Sequence, residues 1–310
     1  MDNPNVSFPT LLIGCGVIGS VYGGQVAIAG HSLWVLAHGR REQEAARDGI
    51  QLHDVGNDTH QIAKVELAQS AGEREYDLVL VAVQANQLAS TFPALRLLKG
   101  SPHIMVFGNN PAGRAAIPDD LPGTTELAFP GVGGNLHESI VEYVHIAEQP
   151  TTFEADTSPI SKKLQAILES QGFKVQRTAN MDGWLQYHTV LISCISAALL
   201  VAGVNPVKLG TDQKLLHLMC RAIEEGFRAL GVQRVQGLPR NLKILHSIFL
   251  RPIARRYWGK LMRSPRGELY FAGHVRHSTD EVHDLAQWTL DHVVQAQVDT
   301  THLKSLLLAI

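Results

Sequence analysis

A chain of 310 residues is long enough for two domains with cores of their own. Its 27 basic and 29 acidic side chains nearly cancel, which argues against nucleic acid or an anionic membrane as its partner. Cys15, Cys194 and Cys220 lie far apart with no CxxC pair, so they read as free thiols of a reducing compartment rather than a disulfide framework.

The opening "MDNPNVSFP" lacks the charged and apolar regions of a signal peptide, and a cytoplasmic location is expected. From there to about residue 178, short apolar runs alternate with helical patterns. "PTLLIG" reads as a strand running into glycines, and "SVYGGQVAIAG" as a helix. "SLWVLA", "YDLVLVAV" and "HIMVFG" read as further strands, and "QANQLASTFPALRLLKG" as a helix ended by Gly100. Apolar runs of this length separated by helices predict buried parallel strands. "TTELAFPGVGG" and "IVEYVHIAEQPTTFE" add β-like segments to the same sheet or its edge. "SPISKKLQAILESQGFKVQRT" has Ser158 as a helix N-cap, Pro159 at the first helical position and a stop at Gly172.

Beyond Ala179 nearly every segment reads as helix. The most apolar one, Thr189 to Val204, is short for a membrane span and carries Ser, Thr and Cys, so a buried core helix is expected. The predicted fold class is therefore α/β: an N-terminal Rossmann-type doubly wound parallel sheet over residues 1–177, then an all-helical domain over 178–310.

"GCGVIG" sets Gly14, Gly16 and Gly19 in the GxGxxG spacing, after a strand and at the start of a helix. The first glycine permits the tight turn and the second lets backbone approach a pyrophosphate. The third lets helix and strand pack closely. Amides from Cys15, Val17 and Ile18 would join them at the positive end of the helix dipole. NAD sites usually add an acid about 20 residues on, for the ribose 2′-hydroxyl. No acidic residue lies between Gly19 and Glu42. The second strand instead runs into "AHGRR", whose His38, Arg40 and Arg41 suit a 2′-phosphate, so NADP(H) is the expected cofactor. The plainer alternative is that these arginines only solvate a loop.

Two further clusters carry weaker signals. His274 and His277 share a helix face, with Glu281 and His283 near, yet no HExxH-like motif is present and no metal is expected. Arg251, Arg255 and Arg256 form a basic helix face, with a role on a substrate carboxylate as the alternative.

Several segments give the chain a specific resemblance: "GCGVIGS", "VLAHGRREQEAARDGIQL", "DLVLVAVQANQLASTFPAL", "FGNN", "FPGVGG", "WLQYH", "RAIEEGFRALGV" and "GELYFAG". In these it resembles the ketopantoate reductase (2-dehydropantoate 2-reductase) family over nearly its whole length. The resemblance implies hydride transfer from NADPH to the ketone of a 2-oxo acid. It also implies a small-molecule carbonyl substrate, a helical domain for substrate and dimerisation, and pairing into a homodimer.

Carried over by position, the family's arginine after strand two falls on His38 and its "VAVK" lysine on Gln84. The asparagine of its "QNG" is Asn109. The lysine that serves as general acid is Gln186, the asparagine one turn later is Val190, and the substrate-binding glutamate is Glu268. The implied catalytic set is Gln186, Glu268 and Asn109. The implied cofactor set is Gly14, Cys15, Gly16, Val17, Ile18, Gly19, His38, Arg40, Gln84 and Asn109. "FPGVGGN" falls where the family has a loop near the nicotinamide, or is a plain β-turn.

A ketone receiving hydride develops negative charge on oxygen and must be given a proton. A glutamine donates a hydrogen bond but no proton. A water held by Gln186, Tyr187 or His188 are the candidate donors. The two missing lysines weaken a place in pantothenate biosynthesis. They leave two readings: a reductase of a small 2-oxo acid or related carbonyl compound, or an NADP(H)-binding protein with little turnover and a sensing or regulatory role.

Overall fold

The computed structural model describes residues 7–155 and 158–310. In chain order its strands are β1 (Thr10–Ile13), β2 (Leu33–Leu36), β3 (Ile50–Asp54), β4 (Thr59–Ala63), β5 (Glu66–Leu67) and β6 (Leu78–Ala82). They continue with β7 (His103–Phe107), β8 (Thr124–Phe129), β9 (Val132–His137), β10 (Ile140–His145), β11 (Thr151–Glu154) and β12 (Val175–Thr178). Helices α1 (Val17–Ile28), α2 (Arg40–Asp48), α3 (Leu88–Leu95) and α4 (Pro159–Ser170) interleave with them. The remainder is helical: α5 (Met181–Val201), α6 (Pro206–Thr211), α7 (Gln213–Val232), α8 (Arg240–Leu245), α9 (Arg251–Met262), α10 (Pro265–Gly267), α11 (Gly273–His277), α12 (Thr279–His292) and α13 (Thr301–Leu307).

Strands β1 and β7 are buried at every position, as apolar runs covered on both faces should be. They lie in an eight-stranded sheet of order β12-β11-β8-β7-β6-β1-β2-β5. The six strands β5, β2, β1, β6, β7 and β8 are mutually parallel, as predicted for β1, β2, β6 and β7, whereas the two-residue β5 was not foreseen. From β1 the chain moves outward to β2 and then returns to β6, so strand order reverses between β1 and β6. β11 joins β8 antiparallel, which makes that edge mixed.

The expectation that "VGGNLH" and "IVEYVH" extend the same sheet is corrected. β9 and β10 pair with each other and with the hairpin β3–β4 in a separate sheet of order β4-β3-β10-β9. The chain leaves the first sheet at Pro130, which has no N–H to give a ladder. At the next residue the Gly131 N–H donates to the Tyr22 hydroxyl at 2.9 Å, so "FPGVGG" is a packed crossover between sheets. Helix α1 packs against strands of both sheets. Ser158 caps α4 by accepting from the Ser161 N–H, and Gly172 ends that segment at φ +85°, both as predicted.

Two compact units divide the chain: residues through Gly108 with Ala115–Thr178, and Asn109–Arg114 with Ala179–Ile310. In the second, α5 is buried among α7, α12 and α13. It is long and apolar enough to cross a membrane by length and composition, but 83% of its most apolar window is buried in the protein, as a core helix requires. The short segment 109–114 is tied to α5 through the Arg114 N–H, which donates to Asp182 Oδ1 at 2.7 Å.

Candidate functional site

The glycine motif forms the turn from β1 into α1. Gly14 adopts φ +93°, and a Cβ there would lie 2.4 Å from the Ala82 carbonyl oxygen. A Cβ on Gly19 would lie 1.9 Å from the Gly14 oxygen, so this turn closes only with glycine at both positions. Gly16 differs, because a Cβ there would meet nothing within 4 Å. It is the N-cap of α1, with no side-chain cap and no acid in the first turn. The amides of Val17, Ile18 and Gly19 therefore have no acceptor inside the helix and stand at its positive end. Open space beside unpaired donors at the carboxyl end of β1, where strand order reverses, fits the pyrophosphate of a dinucleotide. Cys15 turns its side chain inward and is buried.

The two arginines behind the glycine turn are held differently. Gly39 (φ +62°) caps α2, so Arg40 and Arg41 open a helix rather than lie in a loop. Successive helical residues point about 100° apart. Arg41 reaches back to the glycine turn, donating from Nε to the Cys15 oxygen at 2.8 Å and from Nη2 to Ser20 Oγ at 3.1 Å. Arg40 is 68% exposed and donates from Nη2 to the Glu138 oxygen at 2.8 Å. Both also pair with Glu44, an acid four residues into the sequence of that helix. Burial pushes the Glu44 carboxyl upward, but the hydrogen bonds and charges of Arg40 and Arg41 more than offset this and hold it below the ordinary glutamate range. Arg40, Arg41 and Glu44 together leave one positive charge near the turn, and His38 is exposed between β2 and α2.

Gln84 lies two residues past β6, the strand whose end abuts Gly14, and precedes the 3₁₀ turn Ala85–Gln87. Asn109 follows β7. Its Oδ1 is buried and accepts no hydrogen bond among the described residues, an unspent acceptor of the kind that marks ligand sites.

In the helical unit Gln186 is half-buried on α5. The structure removes both titratable neighbours as proton donors. Tyr187 is buried, which raises its pKa, and its hydroxyl donates to the Val235 carbonyl at 3.0 Å. His188 stacks on Trp184 with ring centroids 5.2 Å apart, and burial, aided by the charge of His274, lowers its pKa to about 3. It is neutral near pH 7 and cannot act there as an imidazolium acid. Val190, where the family has asparagine, fills core space against Gly226, whose Cβ would sit 2.4 Å from Val190 Cγ1.

Glu268 opens a π-helical segment, Glu268–Ala272, and accepts from Arg276 Nη1 at 2.6 Å. Both border an open cavity of about 510 Å³ that is also lined by Val204, Asn205, Arg263 and Ser264. Val204 holds φ +54°, a strained conformation for a β-branched residue. π-Helical turns and such strain both concentrate at functional sites. No sequence signal pointed to Arg263 or Arg276. Arg251, the alternative carboxylate ligand, is instead committed to a bidentate pair with Glu224, both bonds 2.7 Å. His274 lies 3.3 Å from Glu281, and His277 Nδ1 lies 2.8 Å from the Gly273 oxygen, so the two helical histidines do not form one ligand set.

The family model "Ketopantoate reductase PanE/ApbA" matches residues 10–125. No curated protein matches the chain. Among solved structures it is similar to a PanE/ApbA family ketopantoate reductase from Ralstonia eutropha JMP134, with TM-score 0.75 and 18% identity, covering 97% of this chain and 96% of that one. It is also similar to a probable 2-dehydropantoate 2-reductase, panE, from Bacillus subtilis, with TM-score 0.68 and 18% identity over 96% and 97% of the two chains. A D-mandelate dehydrogenase with NADH and anilino(oxo)acetate gives TM-score 0.71 at 14% identity over 97% and 96%. These likenesses extend over both units and show the fold.

Proposed function

We propose that this chain, whose residues 10–125 carry the ketopantoate reductase PanE/ApbA domain, is an oxidoreductase that uses NADPH to reduce the carbonyl of a small 2-oxo acid or related compound. The observation that carries this reading is the glycine turn: open space at Gly16 beside unpaired amides, with Arg41 braced against Cys15. The amides of Val17, Ile18 and Gly19 hold the pyrophosphate, and Arg40, Arg41 and His38 provide positive charge and donors for the 2′-phosphate. When bound, the nicotinamide supplies the hydride. Gln186 donates an N–H to the carbonyl oxygen as charge builds there, and a water held by its amide delivers the proton. Glu268, held by the short hydrogen bond from Arg276, is the substrate-binding glutamate that the resemblance implies. Asn109 offers its unspent oxygen to the bound ligands. The protein acts as a cytoplasmic homodimer.

A second reading, an NADP(H)-binding protein with little turnover, is favoured by one observation: Tyr187 is tied to backbone and His188 is neutral, so neither residue next to Gln186 in sequence is poised to give a proton. The test is NADPH oxidation with ketopantoate and other 2-oxo acids by the wild type and by Gln186→Ala/Glu268→Ala. The double variant is expected to lose turnover by about 100-fold or more, since positioned donors contribute that much. Undiminished turnover would refute the site. Tight NADPH binding with no wild-type turnover would select the second reading.

A further inference from the structure

The small sheet carries a row of polar side chains that nicotinamide chemistry does not use. Strand register sets His60 of β4 opposite His53 of β3, and His53 beside Glu142 of β10. The two imidazoles stack with centroids 3.9 Å apart. Asp58, from the turn that joins β3 to β4, brings Oδ1 to 3.0 Å from His53 Nε2. One donor atom from each of His53, Asp58 and His60 lies within 4.8 Å of the other two. His60 and Asp58 are exposed, so rotation of their side chains closes that spacing to the roughly 3.4 Å between donors that surround a zinc ion with bonds of about 2.0–2.2 Å.

Two independent features prepare this site. The turn is fixed by Asp54, which accepts from the Gly56 N–H at 2.9 Å and from Asn57 Nδ2 at 2.7 Å, and Asp58 is held at φ +50°. Behind the ligand face, His53 Nδ1 lies 3.6 Å from Glu142 Oε1, and the other Glu142 oxygen lies 3.3 Å from His137 Nε2. At 3.6 Å the carboxylate is too far for a direct hydrogen bond and acts through its charge, favouring the ring orientation that turns Nε2 to the ligand face.

We propose that His53, His60 and Asp58 form a binding site for a divalent ion of the zinc type, with Glu142 orienting His53 from behind. Two imidazoles and a carboxylate are a borderline donor set that suits zinc rather than calcium or magnesium. Three protein ligands leave the fourth tetrahedral position to water. The ion bridges the hairpin turn to both of its strands.

The test is titration of zinc chloride into the tag-free full chain, in competition with a chromophoric chelator. A site is expected whose affinity falls about ten-fold or more in His60→Ala and in Asp58→Asn, and by a smaller factor in Glu142→Gln. Asparagine tolerates the left-handed backbone, so Asp58→Asn removes the charge without breaking the turn. Unchanged far-ultraviolet circular dichroism identifies the variants as folded. Absence of zinc binding below millimolar concentration, or binding that His60→Ala and Asp58→Asn leave intact, would overturn the proposal.

Discussion

Gly16 and Gly19 sit in one motif, yet the structure gives them opposite roles, and alanine separates them. At Gly19 a methyl would meet the Gly14 carbonyl oxygen at 1.9 Å, and that oxygen is backbone in a turn that cannot retreat. Overpacking of this kind costs about 1–3 kcal/mol or more, against about 1 kcal/mol gained from the helix propensity of alanine. Gly19→Ala should therefore destabilise the unliganded protein by about 2 kcal/mol, a loss of several degrees in unfolding temperature. At Gly16 a methyl meets nothing within 4 Å, and the backbone there (φ −78°, ψ −165°) is open to any residue. A weaker N-cap and a less flexible unfolded chain nearly cancel, so stability should change by less than about 1 kcal/mol. The same methyl would stand where the pyrophosphate approaches. Loss of one hydrogen bond to a charged group, about 1.5–3 kcal/mol, weakens NADPH by about 10- to 100-fold. Thermal unfolding without cofactor, paired with NADPH fluorescence titration, reads both effects. Unaltered NADPH affinity in Gly16→Ala, or unaltered stability in Gly19→Ala, would refute the reasoning.

The two arginines should also part company: Arg40→Gln is expected to weaken NADPH but not NADH, whereas Arg41→Gln weakens both because Arg41 braces the Cys15 carbonyl. Fluorescence titration with each cofactor checks this. Glu225 is fully buried and accepts from the His302 and Leu303 N–H groups at 2.8 and 3.0 Å, so Glu225→Ala, which strips α13 of these contacts, should cost about 3–5 kcal/mol in chemical denaturation. His188 (about 3) and His246 (about 4) are both depressed chiefly by burial, so the unfolded chain takes up their protons first. Their stabilisation is complete above about pH 6.5 and is lost as pH falls toward the folded values, by up to about 1.4 kcal/mol per pH unit for each. Denaturation of His188→Gln across pH 4–7 should show a shallower slope than the wild type. Gln186→Lys should raise the turnover number by supplying the missing acid, which steady-state kinetics would register.

The parallel strands were legible because their burial on both faces leaves unbroken apolar runs, and α4 because Ser158, Pro159 and Gly172 each act locally. The hairpin β3–β4 escaped notice although "IQLHD" alternates and "VGND" is rich in turn residues. Its half-exposed strands carry weak signals, and β10, which pairs with β3, is distant in sequence. The glycine turn was readable from spacing, whereas the different contacts of Arg40 and Arg41 depend on where α2 begins, a matter of one residue. Glu44 is invisible as a partner until that helix turns it back onto both guanidinium groups. The pairing of Glu268 with Arg276 depends on the intervening π-helical turn, which no local sequence pattern announces. The same holds for residues 109–114, which sit within the first sheet's sequence but pack with α5.

The central claim is that the chain reduces a carbonyl at the expense of NADPH. Its most direct test is the loss of absorbance at the dihydronicotinamide band when purified protein meets NADPH and a panel of 2-oxo acids. The account predicts substrate-dependent oxidation with at least one member, one equivalent of cofactor per equivalent of hydroxy acid formed, and a weaker response with NADH. Binding of NADPH with no oxidation across the panel, or a clear preference for NADH, would contradict it.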